Sequence, residues 1–232
     1  MKRFFTTAPR QEVYYKTKFR GVYELDEAGN KLRAPGYYVP VDCEYLAFGG
    51  EDQPCCYPVL PMINAFAESD EEIEVIVLTA PMEKCAENLA HLTDEVQALC
   101  AEKNMRFRVT EFPIPLDETI GTHLDDFERI IALLRDGDTV YLDMTYGSKP
   151  ATYMLLLTMN YAHRAMKNVY VDAVVYGGMI WDKDNNPQGK RIYDCTKLFM
   201  MDQIVSSLAE QGTENPAAVI RSVLAFDPNE EI

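Results

Sequence analysis

The sequence predicts an α/β fold: a mostly parallel sheet flanked by helices, with an inserted β-hairpin and a C-terminal helical extension. Three observations predict it. From residue 73 onward, short apolar runs alternate regularly with amphipathic stretches of helical period. The connections between them are short, which in a strand–helix–strand series means parallel strands with right-handed crossovers. Before that series lies one stretch of clean period-two alternation, the signature of a half-buried hairpin.

Lys2 to Ala8 reads as the first strand, stopped by Pro9. Val13 to Leu25 alternates, with Val13, Tyr15, Thr17, Phe19 and Tyr23 on one face and Lys16, Lys18 and Arg20 on the other. A turn at residues 26–30 leads through Lys31-Leu32-Arg33 to Tyr37-Tyr38-Val39, closing the hairpin. Residues 49–61 are rich in Gly and Pro and read as loop, followed by a short helix from Pro61 to Ala67. Ile73–Thr79 is a buried strand. Glu83–Lys103 is a helix with Cys85, Leu89, Leu92, Val96 and Leu99 on one face. Met105–Phe112 is a strand. Asp117–Arg135 is a helix with an apolar stripe through Ile120, Leu124, Phe127, Ile131 and Leu134, ended by Gly137. Thr139–Met144 is a strand. Pro150–Met166 is a helix whose apolar face runs through Met154, Leu157 and Tyr161. Val169–Tyr176 is a strand, Trp181–Gly189 a polar turn, and Lys190–Cys195 an antiparallel return. Leu198–Glu210 and Asn215–Ala225 are helices, the second with Asn215 as N-cap and Pro216 in its first turn. The expected division is residues 1–197 for the sheet domain and 198–232 for the helical extension.

The 232 residues are 47% hydrophobic, enough for a sizeable core. The net charge is −15, from 22 basic and 37 acidic residues. Such acidity argues against coating duplex DNA or an anionic membrane. The charge is uneven. Residues 1–40 hold eight basic and four acidic residues, which leaves −19 for the rest of the chain. A site for a small anion is therefore expected near the N-terminal segment. No apolar run approaches the ~18 residues of a membrane span, and the basic start gives way at once to Thr6, Thr7 and Pro9, so no leader is expected. The six cysteines read as reduced thiols of a cytoplasmic protein. The adjacent pair Cys55-Cys56 suits neither a CxxC redox pair nor usual zinc spacing, so neither metal nor cofactor is expected.

One turn between a strand and a helix carries chemistry: Asp143-Met144-Thr145-Tyr146-Gly147-Ser148-Lys149-Pro150. Gly147 permits a tight turn and close backbone approach. Thr145 and Ser148 offer hydroxyls. Lys149 adds a positive charge at a helix N-terminus, whose unpaired N–H groups already favour an anion. The turn is read either as a phosphate cradle or as an ordinary connection with a solvated lysine. It is neither a P-loop nor a GxGxxG turn.

This turn resembles the Asp/Asn-x-Thr-x-Gly-x-Lys/Arg turn of CRISPR-associated Rossmann-fold (CARF) domains. The later runs Val174-Val175-Tyr176-Gly177 and Arg191-Ile192-Tyr193-Asp194-Cys195-Thr196 are similar to a CARF subgroup, and so is the tyrosine-rich hairpin after strand one. That subgroup often has His, then Phe-Arg-Ser, around the glycine; this chain has Tyr146 and Ser148-Lys149-Pro150. The resemblance covers about residues 1–200 and implies a Rossmann-like fold. It implies a two-fold homodimer that binds a cyclic oligoadenylate messenger of type III CRISPR defence across its axis, cyclic tetra-adenylate before hexa-adenylate. By position it implies ligand contacts from Thr145, Tyr146, Gly147, Ser148 and Lys149, with Thr6, Thr7, Ala8 and Arg10 beside them. The basic hairpin face is either a solvated or dimer-contact face or a cover over the ligand.

Some CARF domains also cleave their ligand as metal-independent ring nucleases, and there Lys149 and Ser148 are the catalytic candidates. His91, His123 and His163 fall in or near predicted helices, outside the motif. No Arg-x(4–6)-His ribonuclease motif occurs in the chain. The last two helices are dimerisation or capping elements, or the start of a further domain. The competing readings are a Rossmann-like enzyme or regulator of another nucleotide, the sensor part of a larger effector, and a structural partner protein.

Overall fold

The computed structural model describes residues 1–11, 13, 36–50, 55–184, 187–213 and 215–225. Two compact units divide the chain, Met1–Asp194 and Cys195–Ile232. The first is an α/β unit around a seven-stranded sheet. Its strands are β1 (Lys2–Thr7), β2 (Tyr38–Val41), β3 (Glu72–Thr79), β4 (Arg106–Pro113), β5 (Thr139–Asp143), β6 (Tyr170–Trp181) and β7 (Pro187–Asp194). The order across the sheet is β2-β7-β6-β5-β1-β3-β4. Every neighbouring pair is parallel except β6 with β7. Helices α1 (Val59–Phe66), α2 (Glu83–Glu102), α3 (Ile120–Ile131) and α4 (Lys149–Ala165) supply the crossovers. This is a Rossmann-like arrangement.

The strands are dictated by burial on both faces. Ile73 and the run Val75–Leu78 of β3 are wholly buried, as a continuous apolar run in a parallel sheet must be. In β1, Phe4 stacks on Tyr141 of β5 at 4.5 Å. From β1 the chain moves outward through β3 and β4, then returns to the other side of β1 with β5 and β6. The direction of winding therefore reverses between β1 and β5. Crevices at such a switch point, beyond the carboxyl ends of the strands, are where open α/β sheets bind ligands.

Several expectations change. Tyr38–Val41, one end of the expected hairpin, joins the main sheet as a strand parallel to β7. The other arm, with Lys16, Lys18 and Arg20, lies outside the described residues. Helix α1 begins at Val59, so Pro61 falls within its first turn. The β6–β7 hairpin is longer than expected and takes in Trp181. Helix α3 starts at Ile120, because Thr119 caps it and Asp117 is engaged by the Thr119 and Thr122 hydroxyls.

The apolar stripes on α3 and α4 are the largest correction. Most of each stripe is open to solvent, with Ile120 76% exposed, Leu124 55%, and Leu157 and Tyr161 45% each, while Leu134 and Met154 alone of the two stripes are fully buried. Helix α4 instead buries Ala151, Met154, Leu155, Thr158, Met159 and Ala162. Periodicity tells which residues share a face; it does not tell which face meets the sheet. Helices α3 and α4 pack side by side, with Phe127 edge-on to Tyr161 at 5.6 Å. Their outer faces line one open apolar groove.

The six thiols are free and buried. Among the described residues no helix is long and apolar enough to cross a membrane. The second unit contains α5 (Thr196–Glu210) and α6 (Pro216–Ala225). They pack on each other, and the Ala218 amide donates to Asn215 Oδ1 at the start of α6.

Candidate anion site at the switch point

Strand β5 ends at Asp143, beside the end of β1 at the switch point. Asp143 is fully buried. One carboxylate oxygen accepts from the Thr6 hydroxyl at 2.8 Å, the other from the Thr145 amide at 2.9 Å. Burial raises its carboxyl above the usual carboxylate range, against the pull of these hydrogen bonds. Asp143 is thus the bracket that ties the turn to β1. Thr6, Thr7 and Ala8 are themselves buried. The role the structure gives Thr6 is to hold Asp143.

The turn then leaves the sheet. Thr145 Oγ1 accepts from the Gly177 amide of β6 at 2.7 Å. Tyr146 points inward: its hydroxyl lies 2.9 Å from that of Tyr38 and donates to the Cys56 carbonyl at 3.3 Å. Burial pushes both phenols up, so they stay neutral hydrogen-bonding groups at physiological pH. Gly147 takes φ +111°, which a side chain would strain, and Thr7 packs against it. Ser148 is the N-cap of α4, and its Oγ accepts from the Ala151 amide at 3.2 Å. Lys149, exposed, is the first helical residue.

The amides of Gly147, Ser148 and Lys149 donate to no group among the described residues. Three successive unclaimed N–H groups at a helix N-terminus, with an exposed lysine, make a concavity suited to an anion. The structure therefore brings together Gly147, Ser148, Lys149 and the end of β1. It turns Thr145 and Tyr146 away to support the turn from behind.

The same geometry adds two residues that the sequence did not single out. Glu118, in the loop before α3, accepts from Ser148 Oγ at 2.9 Å. Its carboxylate also lies 3.1 Å from His123 Nε2 and 3.5 Å from Arg10 Nη2. Arg10 is thus already paired beside the cradle. No spacing signal links Glu118 or His123 to the turn, because they follow a different strand; only the packing of α3 on α4 brings them there.

No family model and no curated protein matches the chain.

The described basic residues of the N-terminal segment do not form one anion-binding surface. Lys2 bonds Glu71 at 2.8 Å, and Arg3 pairs with Glu74 and Asp138 at the amino end of β1, away from the cradle. Of its described basic residues, only Arg10 lies near the turn.

Gly177 closes the site from the β6 side. A Cβ there would lie 2.5 Å from Pro58 Cγ, 2.7 Å from Tyr38 Cε1 and 3.1 Å from Thr145 Oγ1. Pro58 is a ring and Tyr38 is buried, so neither moves freely. Gly177→Ala is expected to cost about 1–3 kcal/mol, the usual penalty of overpacking. Urea denaturation checks this; a change within about 0.5 kcal/mol, typical of indifferent surface sites, would show that the turn relaxes without cost.

Proposed function

We propose that the protein binds a cyclic oligoadenylate, a CARF-type messenger, with the turn Gly147–Lys149 receiving ligand phosphate. The observation that carries this reading is the run of three unclaimed amides beside Lys149 at the switch point. The cradle is small and lies in a strongly acidic chain of net charge −15. That combination favours a compact anionic ring over a long polyanion.

The reading includes a two-fold dimer through the exposed α3–α4 face. This face begins at the cradle, since Pro150 lines the apolar groove. Covering it by a second copy would remove Ile120, Leu124 and Tyr153 from water and place two cradles near one axis. A ring with repeated phosphates would then meet both.

The test is direct. The purified protein is titrated with cyclic tetra-adenylate and cyclic hexa-adenylate, with NAD(P) and a nucleoside triphosphate as comparisons, and its mass is followed by light scattering. Micromolar or tighter binding of one ring to a dimer supports the reading. Binding of neither ring overturns it, and preference for a mononucleotide or dinucleotide favours a different Rossmann-like function.

A specific observation favours cleavage as a second reading: at the cradle Ser148 donates to Glu118, whose carboxylate also lies 3.1 Å from His123 Nε2. In cleavage the ribose 2′-oxygen attacks the adjacent phosphorus in line and its proton passes to a carboxylate such as Glu118. The 5′-oxygen leaves with a proton, giving a 2′,3′-cyclic phosphate end. Lys149 stabilises the developing charge, and no metal is required. Chromatography of the incubated rings detects the linear product.

A further inference from the structure

Beneath the cradle lies a second cluster of chemistry-bearing side chains. Cys56 precedes α1 and is buried; His91 and Glu95 lie four residues apart on α2, and so on one face. One donor atom from each of the three lies within 4.8 Å of the others. His91 Nδ1 is 3.5 Å from Glu95 Oε1, and both Glu95 oxygens face the Cys56 amide at 3.2 and 3.3 Å.

We propose that Cys56, His91 and Glu95 bind a zinc-class divalent metal ion through the Cys56 sulfur, a His91 ring nitrogen and a Glu95 oxygen. Zinc ligands sit at about 2.0–2.3 Å from the ion, so tetrahedral donors lie roughly 3.3–3.8 Å apart. The observed separations, 4.8 Å at most, close to this by side-chain adjustments of about 1.0–1.5 Å at most. A sulfur–nitrogen–oxygen set is borderline soft, which suits zinc, cobalt or nickel and not magnesium or calcium. Three protein ligands leave a fourth position for water or another donor.

The neighbourhood is compatible with this charge. Thiolate and carboxylate together balance a divalent ion. Buried Lys190 is a nearby cation that interacts electrostatically with Cys56 and Glu95. Cys56 also joins this cluster to the switch-point turn, because its carbonyl accepts the Tyr146 hydroxyl. An ion held on the Cys56 sulfur would therefore stiffen the support behind the cradle. The adjacency of Cys55 and Cys56 gives no metal spacing because the other two ligands come from a different element.

The experiment uses the full chain, treated with chelator and titrated with cobalt(II) and zinc(II) alone. One equivalent of cobalt per chain with a thiolate-to-cobalt charge-transfer band in the near ultraviolet, displaced by zinc, is the expected result. Cys56→Ser should abolish the band, and His91→Ala and Glu95→Gln should weaken binding at least tenfold. Cys100→Ser should leave it intact. His91 is partly exposed, so His91→Ala keeps the test valid if Cys56→Ser fails to fold. Absence of the band in the parent protein overturns the site, as does a band that survives His91→Ala at full affinity. The readout is independent of nucleotide binding.

Discussion

Lys149→Ala is expected to weaken cyclic oligoadenylate binding by about a hundredfold or more while leaving the fold intact. Lys149 is exposed at the first position of α4. None of its side-chain bonds appears among the described residues, so its removal leaves no buried partner behind. Surface changes of this kind usually stay within about 0.5 kcal/mol of parent stability. A charged hydrogen bond to phosphate contributes about 1.5–3 kcal/mol, and each tenfold in affinity is about 1.4 kcal/mol. In a two-fold dimer two lysines are lost at once, which places the combined loss at a factor of a hundred or above. Calorimetric titration of the alanine and arginine variants measures it. Lys149→Arg keeps the charge and should retain most of the affinity. Parent-like binding by Lys149→Ala would show that phosphate is not held at this turn, even if the ring binds elsewhere.

Arg3→Met is expected to cost about 3–5 kcal/mol of folding stability, the typical result of breaking a buried ion pair from one side. The Arg3 guanidinium is almost fully buried and pairs with two buried carboxylates, Glu74 and Asp138. Neither becomes solvated when the arginine is removed. Arg108 and the Thr110 hydroxyl still reach Glu74, and the N-terminal amine and the Arg135 amide still reach Asp138. These partners keep the loss short of complete unfolding. Methionine fills the stem's volume, so the effect measured is electrostatic. Urea denaturation should show a lower midpoint at an unchanged slope. A loss below about 1 kcal/mol, the range of exposed pairs, would mean that the remaining partners suffice.

These two expectations separate what was legible from what was not. The Asp143–Pro150 turn was legible because its residues are consecutive and its constraints are local. Gly147 needs a positive φ, Ser148 caps, and Pro150 suits a first helical turn. The core strands were legible too, since Ile73–Thr79 must be buried whatever surrounds it. Arg3 was not. Beside Lys2 and Arg10 it read as one of several basic residues available for an anion, yet it sits in the sheet between acidic residues of β3 and the turn before β5. Glu118, His123 and the Cys56–His91–Glu95 cluster were equally hidden, since each is assembled from separate elements.

The local order of strands and helices, and the Asp143–Pro150 turn with its positive-φ glycine and N-cap serine, were determined by the sequence alone, because propensity, capping and hydrophobic period act over a few residues. Only the tertiary structure decided that β5 returns beside β1 and that the apolar faces of α3 and α4 stay open to solvent. It also decided that most of the described N-terminal basic charge is spent in ion pairs. Those outcomes depend on which surfaces meet, and burial and charge pairing are properties of a surface contact between distant segments, which no stretch of chain carries by itself.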